Sequence, residues 1–148
     1  ASRGGEKIRT LVMQLTGPGT GWVVPRLGRM VATRGLLEVA LAPATQAAVL
    51  IPELNAAGIE FYKLTPADEA QACGRFLRDV KAEKQKLEHV GQPELDAAVK
   101  AAGTKKTGDK EMWESTDPTI DISPLRAVSA AAYRWKLMQA MNPMDNIW

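Results

Sequence analysis

Short apolar runs alternate with amphipathic segments along the chain, and this alternation constrains the fold more than any other feature. Three runs are rich in aliphatic and β-branched residues, as buried strands are, and they cover residues 8–15, 37–41 and 59–64. Between and after them, apolar residues recur every three or four positions, which is typical of amphipathic helices. Strands that alternate with helices predict an α/β fold, with a partly parallel, mixed sheet flanked by helices.

The last predicted helix, at 123–141, has the clearest start. Ser123 suits the N-cap and Pro124 the first helical position. The spacing predicts an apolar face made of Leu125, Val128, Ala132 and Trp135, and it places off that face Arg126, Tyr133, Arg134 and Lys136. Asp121 lies just before this helix, between two isoleucines. From the residues alone, a role at the helix entry, as a cap or opposite the macrodipole, is the simpler interpretation.

Length and composition narrow the class of protein. A chain of 148 residues is most simply one domain, which we expect over 1–141, followed by a loose tail at 142–148. The net charge of +2 permits a nucleic-acid partner without requiring one. The single cysteine, Cys73, excludes an internal disulfide, and no apolar run reaches the roughly 18 residues of a membrane span.

Basic residues form two groups in the sequence. The first contains Arg26, Arg29 and Arg34, and the second contains Lys100, Lys105, Lys106 and Lys110. Solvated faces explain both groups. The second is the better candidate for DNA contacts, because residues 103–110 are predicted to form a flexible loop whose lysines can follow a phosphate backbone.

Other candidate groups carry weaker signals. The Gly17–Gly21 turn is either structural or a phosphate contact at a helix start, and a small nucleotide-binding α/β enzyme is the corresponding alternative. It matches neither a Walker loop nor a dinucleotide fingerprint. His89 has no His or Cys partner at zinc spacing, and Cys73 lies on the apolar side of a predicted helix. Neither residue therefore predicts a site.

Five stretches in order resemble one protein family, the carboxy-terminal nuclease domain of tailed-phage large terminase subunits from actinobacterial phages and prophages. The resemblance runs from about residue 17 to about residue 135. It is carried by Pro18–Arg26, Leu50–Leu54 with Ala56–Glu60, Ala70–Phe76, His89–Ala98 and Asp121–Leu125.

The resemblance implies an RNase H-like nuclease that cuts concatemeric double-stranded DNA during packaging. It implies two Mg²⁺ or Mn²⁺ ions held by an acidic cluster, with Asp121 as a metal ligand and Asp109 as a supporting catalytic acid. It also implies the portal protein and the small terminase subunit as partners, no membrane association, and the host cytoplasm as the location. The chain has no P-loop, so it is not expected to be the packaging motor.

The chain departs from the family pattern at two expected acids. The acid of the first strand is expected before residue 1, and Ala42 stands where an acid should end the 37–41 run. One carboxylate alone holds two divalent ions poorly. Three interpretations follow: Glu38 or Asp68 substitutes, the chain is a piece of a longer protein, or catalysis is lost. The last predicts a non-catalytic module that binds DNA or packaging proteins.

Overall fold

The computed structural model describes residues 9–11, 21–34, 38–43, 45–82, 87–89 and 91–141. The chain divides by packing into two compact units, one made of 1–14 and 67–148 and the other of 15–66. The predicted tail at 142–148 and most of the Gly17–Gly21 turn lie outside the described residues. A single domain over 1–141 stays a prediction.

Helices and strands alternate as the sequence predicts, so the α/β class is confirmed. The helices are α1 (Val23–Arg34), α2 (Ile51–Ala56), α3 (Pro66–Lys81), α4 (Pro93–Lys100) and α5 (Ser123–Met141), with a 3₁₀ helix at Gln46–Leu50. The strands are β1 (Arg9–Leu11), β2 (Ala40–Leu41), β3 (Tyr62–Lys63), β4 (Leu87–His89), β5 (Ala102–Thr107) and β6 (Lys110–Ser115). In the described residues, β1 pairs with β4 and β2 with β3 in parallel, and β5 pairs with β6 antiparallel. These pairs form three two-stranded sheets, and not the one mixed sheet that the alternation predicts.

Local hydrogen bonds define the start of the 3₁₀ helix and the end of α2 in the 15–66 unit. Thr45 caps the 3₁₀ helix, because its Oγ1 accepts the Ala47 N–H at 3.2 Å. Helix α2 ends in a Schellman motif: Gly58 has φ +70°, its N–H donates to Asn55, and the next N–H donates to Leu54. Gly58 at the C′ position therefore ends α2. Val24, Leu41 and Leu54 form the buried centre of this unit.

The other unit buries one face of α4 and α5. Its core is formed by Leu95, Ala98, Ala101, Ile122, Leu125, Val128 and Ala132. Trp113 of β6 packs against this core and meets Phe76 edge to face, with ring centroids 5.8 Å apart. Its indole N–H also donates to Ser129 Oγ at 3.0 Å. These contacts fix the β5–β6 hairpin on α5.

The prediction that Tyr133 and Arg134 lie off the apolar face of the last helix is wrong. Both are buried, at 4% and 8% exposure. The Tyr133 hydroxyl donates to Asp68 Oδ1 at 3.0 Å, so the apolar stripe of α5 continues into a buried polar contact with α3. A pattern of apolar residues alone does not reveal a polar group that finds its partner on another helix.

Candidate functional site

Residues 103–110, predicted as a flexible loop, form most of a regular β-hairpin instead. Six cross-strand pairs run without interruption from Ala102–Ser115 to Thr107–Lys110. Gly108 has φ +66°, and no other residue type has a positive φ in the described residues. A glycine with positive φ at the first central position and an ordinary residue at the second fit a two-residue type II′ turn. Asp109 therefore lies at the exposed tip of a hairpin.

The far end of this hairpin projects from the core of its unit. All seven residues from Thr104 to Lys110 are exposed, although they alternate between the two faces of a paired ribbon. A ribbon packed on one face would show alternating burial. We call this segment, 104–110, the hairpin tip. It is held in shape by its ladder and its turn, and it presents both faces to solvent.

The lysines of the hairpin tip divide between these two faces. Side chains of a strand alternate, so Lys105 and Thr107 share a face, and the register places Lys110 on that same face. Lys106 lies on the opposite face, directly across from Glu111. Lys100 is exposed at the last residue of α4, outside the hairpin. The four predicted DNA-binding lysines are therefore not equivalent.

Asp121 lies immediately before α5 and turns the chain into it. Its Oδ1 accepts the Ser123 N–H at 2.9 Å and the Ser123 hydroxyl at 2.6 Å. These two hydrogen bonds, with a smaller contribution from Arg126, hold the pKa of Asp121 below its ordinary value. The Ile122 carbonyl accepts from the N–H groups of Leu125 and Arg126, so Ile122 occupies the N-cap position predicted for Ser123.

The same motif occurs four residues earlier. Asp117 Oδ1 accepts the Thr119 N–H at 2.9 Å and the Thr119 hydroxyl at 2.7 Å, and these bonds likewise lower the pKa of Asp117. Asp117 precedes no helix and is not among the residues that the terminase resemblance marks. The geometry at Asp121 is thus that of a local turn, which needs no metal to explain it.

Acidic and basic groups are mixed around Asp121. Arg126 interacts electrostatically with Asp121 and with Glu69, and it donates to the Trp113 carbonyl at 3.4 Å. Burial raises the pKa of Glu69, Arg126 opposes this rise, and the neighbouring Asp68 adds to it. A guanidinium beside these acids weakens the attraction that a divalent cation would feel. In the part of the chain that the structure describes, no group of three or more His, Cys, Asp or Glu residues is placed to hold a metal ion.

The acids that the terminase resemblance implies, and the residues suggested to replace them, lie in different environments. Ala42 is buried directly after β2, so the carboxyl end of this strand carries a methyl group and not a carboxylate. Of the two suggested substitutes, Asp68 is 9% exposed and accepts from Tyr133, while Glu38 is half-buried in the 15–66 unit. Asp109 belongs to the hairpin turn and Asp121 to the entry of α5, so the two predicted catalytic acids lie on different elements.

Cys73 and His89 carry no catalytic arrangement. Burial raises the pKa of the Cys73 thiol to about 11, with Glu111 adding to the shift, so the thiol is protonated at neutral pH. His89 is exposed on β4, and its Nδ1 accepts the Gly91 N–H at 3.1 Å. The buried position predicted for Cys73 is confirmed.

Two contributors to the site were missed in the sequence. Thr107 lies on the same face as Lys105 and Lys110. Arg126 interacts with Asp121 at the start of α5 and with Glu69 of α3. The Gly108–Asp109 pair is a recognised hairpin-turn signal, and it would have indicated that Thr107 lies in a hairpin strand. Arg126 follows Asp121 by five residues across a helix start, a spacing that does not indicate proximity.

No protein-family model, no curated protein and no solved structure matches the chain. Helices in the described ranges are also too short or too polar to cross a membrane. The terminase resemblance therefore remains an expectation carried by five short stretches, and the geometry has to support any function.

Proposed function

We propose that the chain binds double-stranded DNA through the hairpin tip, as a non-catalytic module of the terminase type. The observation that carries this proposal is the common exposed face of Lys105, Thr107 and Lys110. Two ammonium groups and a hydroxyl on one side of a paired ribbon can contact the phosphates of a nucleic-acid backbone. Lys100 adds a fourth candidate contact outside the ribbon.

The pairing of the two hairpin strands supports this use of its lysines. The ladder orders the backbone at Lys105 and Lys110, so binding costs less backbone entropy than ordering a loop would. The charge is modest, because Glu114 lies on the same face and Asp109 at the tip. We therefore expect weak binding without sequence preference, which decreases strongly as the salt concentration rises.

Metal-dependent cleavage of concatemeric DNA is the second proposal, and one feature favours it. Asp121 is an exposed carboxylate at the position where the resemblance implies a metal ligand. The described residues do not, however, fit the two-ion Mg²⁺ or Mn²⁺ site that the resemblance implies, because Ala42 replaces one acid and Arg126 lies beside Asp121. An RNase H-like fold, portal and small-subunit partners and a location in the host cytoplasm belong to this same set of proposals.

One experiment separates the two proposals. Binding of a short fluorescent duplex is measured by anisotropy in EDTA and in Mg²⁺, and plasmid cleavage is measured in Mn²⁺. DNA binding is expected in EDTA, with an affinity that Lys105→Gln/Lys110→Gln lowers by about tenfold, given roughly 0.7 kcal/mol for each charge contact. Plasmid cleavage that Asp121→Asn abolishes would establish the second proposal instead. An affinity that the double lysine variant leaves unchanged would refute the first.

A further inference from the structure

The 15–66 unit contains an open apolar cavity of about 750 Å³. It lies between α1, the end of α2 and the segment that leads into β2, and Val24, Val31, Val39 and Ile59 supply its aliphatic lining. Val31 is 45% exposed. The volume falls in the range of ligand-binding clefts, which is roughly 300–1,000 Å³. We call this cavity the α1–α2 groove.

Charge is segregated around the α1–α2 groove. Residues 15–66 contain three acids, Glu38, Glu53 and Glu60, and all three line the cavity. The basic residues of this unit whose side chains are described are Arg26, Arg29 and Lys63, and they are not among the lining residues. An apolar groove whose charged lining residues are all acidic attracts a group that is itself both apolar and cationic.

The form of the groove favours a peptide over an enclosed small molecule. Its border residues Pro25, Glu53, Ala57 and Glu60 are exposed, so an occupant can enter and leave along the length of the groove. The α1 side of the groove is open at Gly28, where an added Cβ would meet no atom within 4 Å. We propose that the α1–α2 groove binds a short segment of a partner protein that carries aliphatic residues flanked by lysine or arginine.

The probe that tests this is a synthetic helical peptide of leucine and lysine, compared with one in which glutamate replaces lysine. Binding to the full chain is followed by NMR of valine and isoleucine methyl groups. The leucine–lysine peptide is expected to shift Val24, Val31, Val39 and Ile59, and the leucine–glutamate peptide to leave them unchanged. Equal binding of both peptides, or shifts that avoid these four residues, would overturn the proposal.

Three variants separate the groove from general charge attraction. Glu53→Gln/Glu60→Gln is expected to weaken peptide binding by about three- to tenfold. Gly28→Leu fills the open space at a helical position and is expected to abolish binding, while helix propensity keeps α1 folded. Glu94→Gln removes an exposed acid from α4 and is the matched control, with unchanged affinity expected. Wild-type affinity in Gly28→Leu, or an equal loss in Glu94→Gln, would contradict the proposal.

Discussion

The entry of α5 and the hairpin tip both present exposed charge, but they use it differently. At the entry of α5, the Asp121 carboxylate holds Ser123 and lies near Arg126, so its charge already serves the fold. At the hairpin tip, Lys105 and Lys110 lie on a ribbon whose shape comes from its own ladder and turn. A charge that organises the local chain is a weak indication of a ligand. A charge on an exposed strand that is paired by its own ladder is a stronger indication of a ligand.

The largest expected change in stability comes from Leu125, in the core that α4 and α5 form. Leu125 is 1% exposed, and Leu125→Ala should lower the free energy of unfolding by about 2–5 kcal/mol, through lost burial and a cavity. Urea unfolding followed by circular dichroism measures this change. The folded protein should keep its DNA affinity, because the hairpin tip lies outside this core. A loss of DNA affinity in Leu125→Ala, measured without urea while the variant is fully folded, would show that this core and the hairpin tip are not independent.

Trp113 tests how the hairpin is held. Trp113→Phe keeps an aromatic ring against Phe76 and removes the N–H that donates to Ser129. The free energy of unfolding should therefore fall by about 1 kcal/mol. Ser129→Ala is the matched variant, since it removes the acceptor and leaves the indole in place. Similar losses from both, without additivity in the double variant, would confirm the bond. Fully additive losses would show that the two groups act separately.

Asp121 should contribute a smaller, pH-dependent amount. Its pKa is lower in the folded state than the ordinary value of 3.8, so the stabilisation is complete above about pH 4 and disappears as the pH falls through the folded-state pKa. Asp121→Ala removes two hydrogen bonds at a solvent-exposed site and should cost about 0.5–1 kcal/mol at neutral pH, a cost that should shrink in acid. Chemical denaturation at a series of pH values between about 2 and 7 measures this cost.

Asp117→Ala is the control for that prediction, because Asp117 makes the same pair of bonds without preceding a helix. A smaller loss than at Asp121 is expected. Stabilisation by Mg²⁺ or Mn²⁺ that depends on Asp121 but not on Asp117 would instead assign Asp121 to a metal site.

Much of the helical framework could be predicted because its signals are local. Pro66, Pro93 and Pro124 mark helix starts, and Gly58 marks a stop, through backbone properties that do not depend on the rest of the fold. The apolar run at 59–64 predicts a strand in the right place, but a longer one than the structure contains. Only Tyr62–Lys63 pairs with another strand.

The hairpin and the site around Asp121 could not be predicted in the same way. Residues 104–110 read TKKTGDK, which lacks the apolar alternation of a packed strand, because neither face of the hairpin tip is packed. The approach of Glu69 to Arg126, in the first turn of α5, depends on how α3 packs against α5. This interaction joins residues more than 50 positions apart in the sequence, and no local pattern encodes it.

The salt dependence of DNA affinity tests the central claim most directly. The logarithm of the association constant is measured against the logarithm of salt concentration between about 50 and 200 mM, in EDTA, for the wild type, Lys105→Gln/Lys110→Gln and Lys106→Gln. The double variant should lose about two units of slope, one for each phosphate contact, whereas Lys106→Gln, on the opposite face across from Glu111, should change it little. Equal slopes for all three proteins would contradict the assignment of DNA binding to the shared face of Lys105 and Lys110.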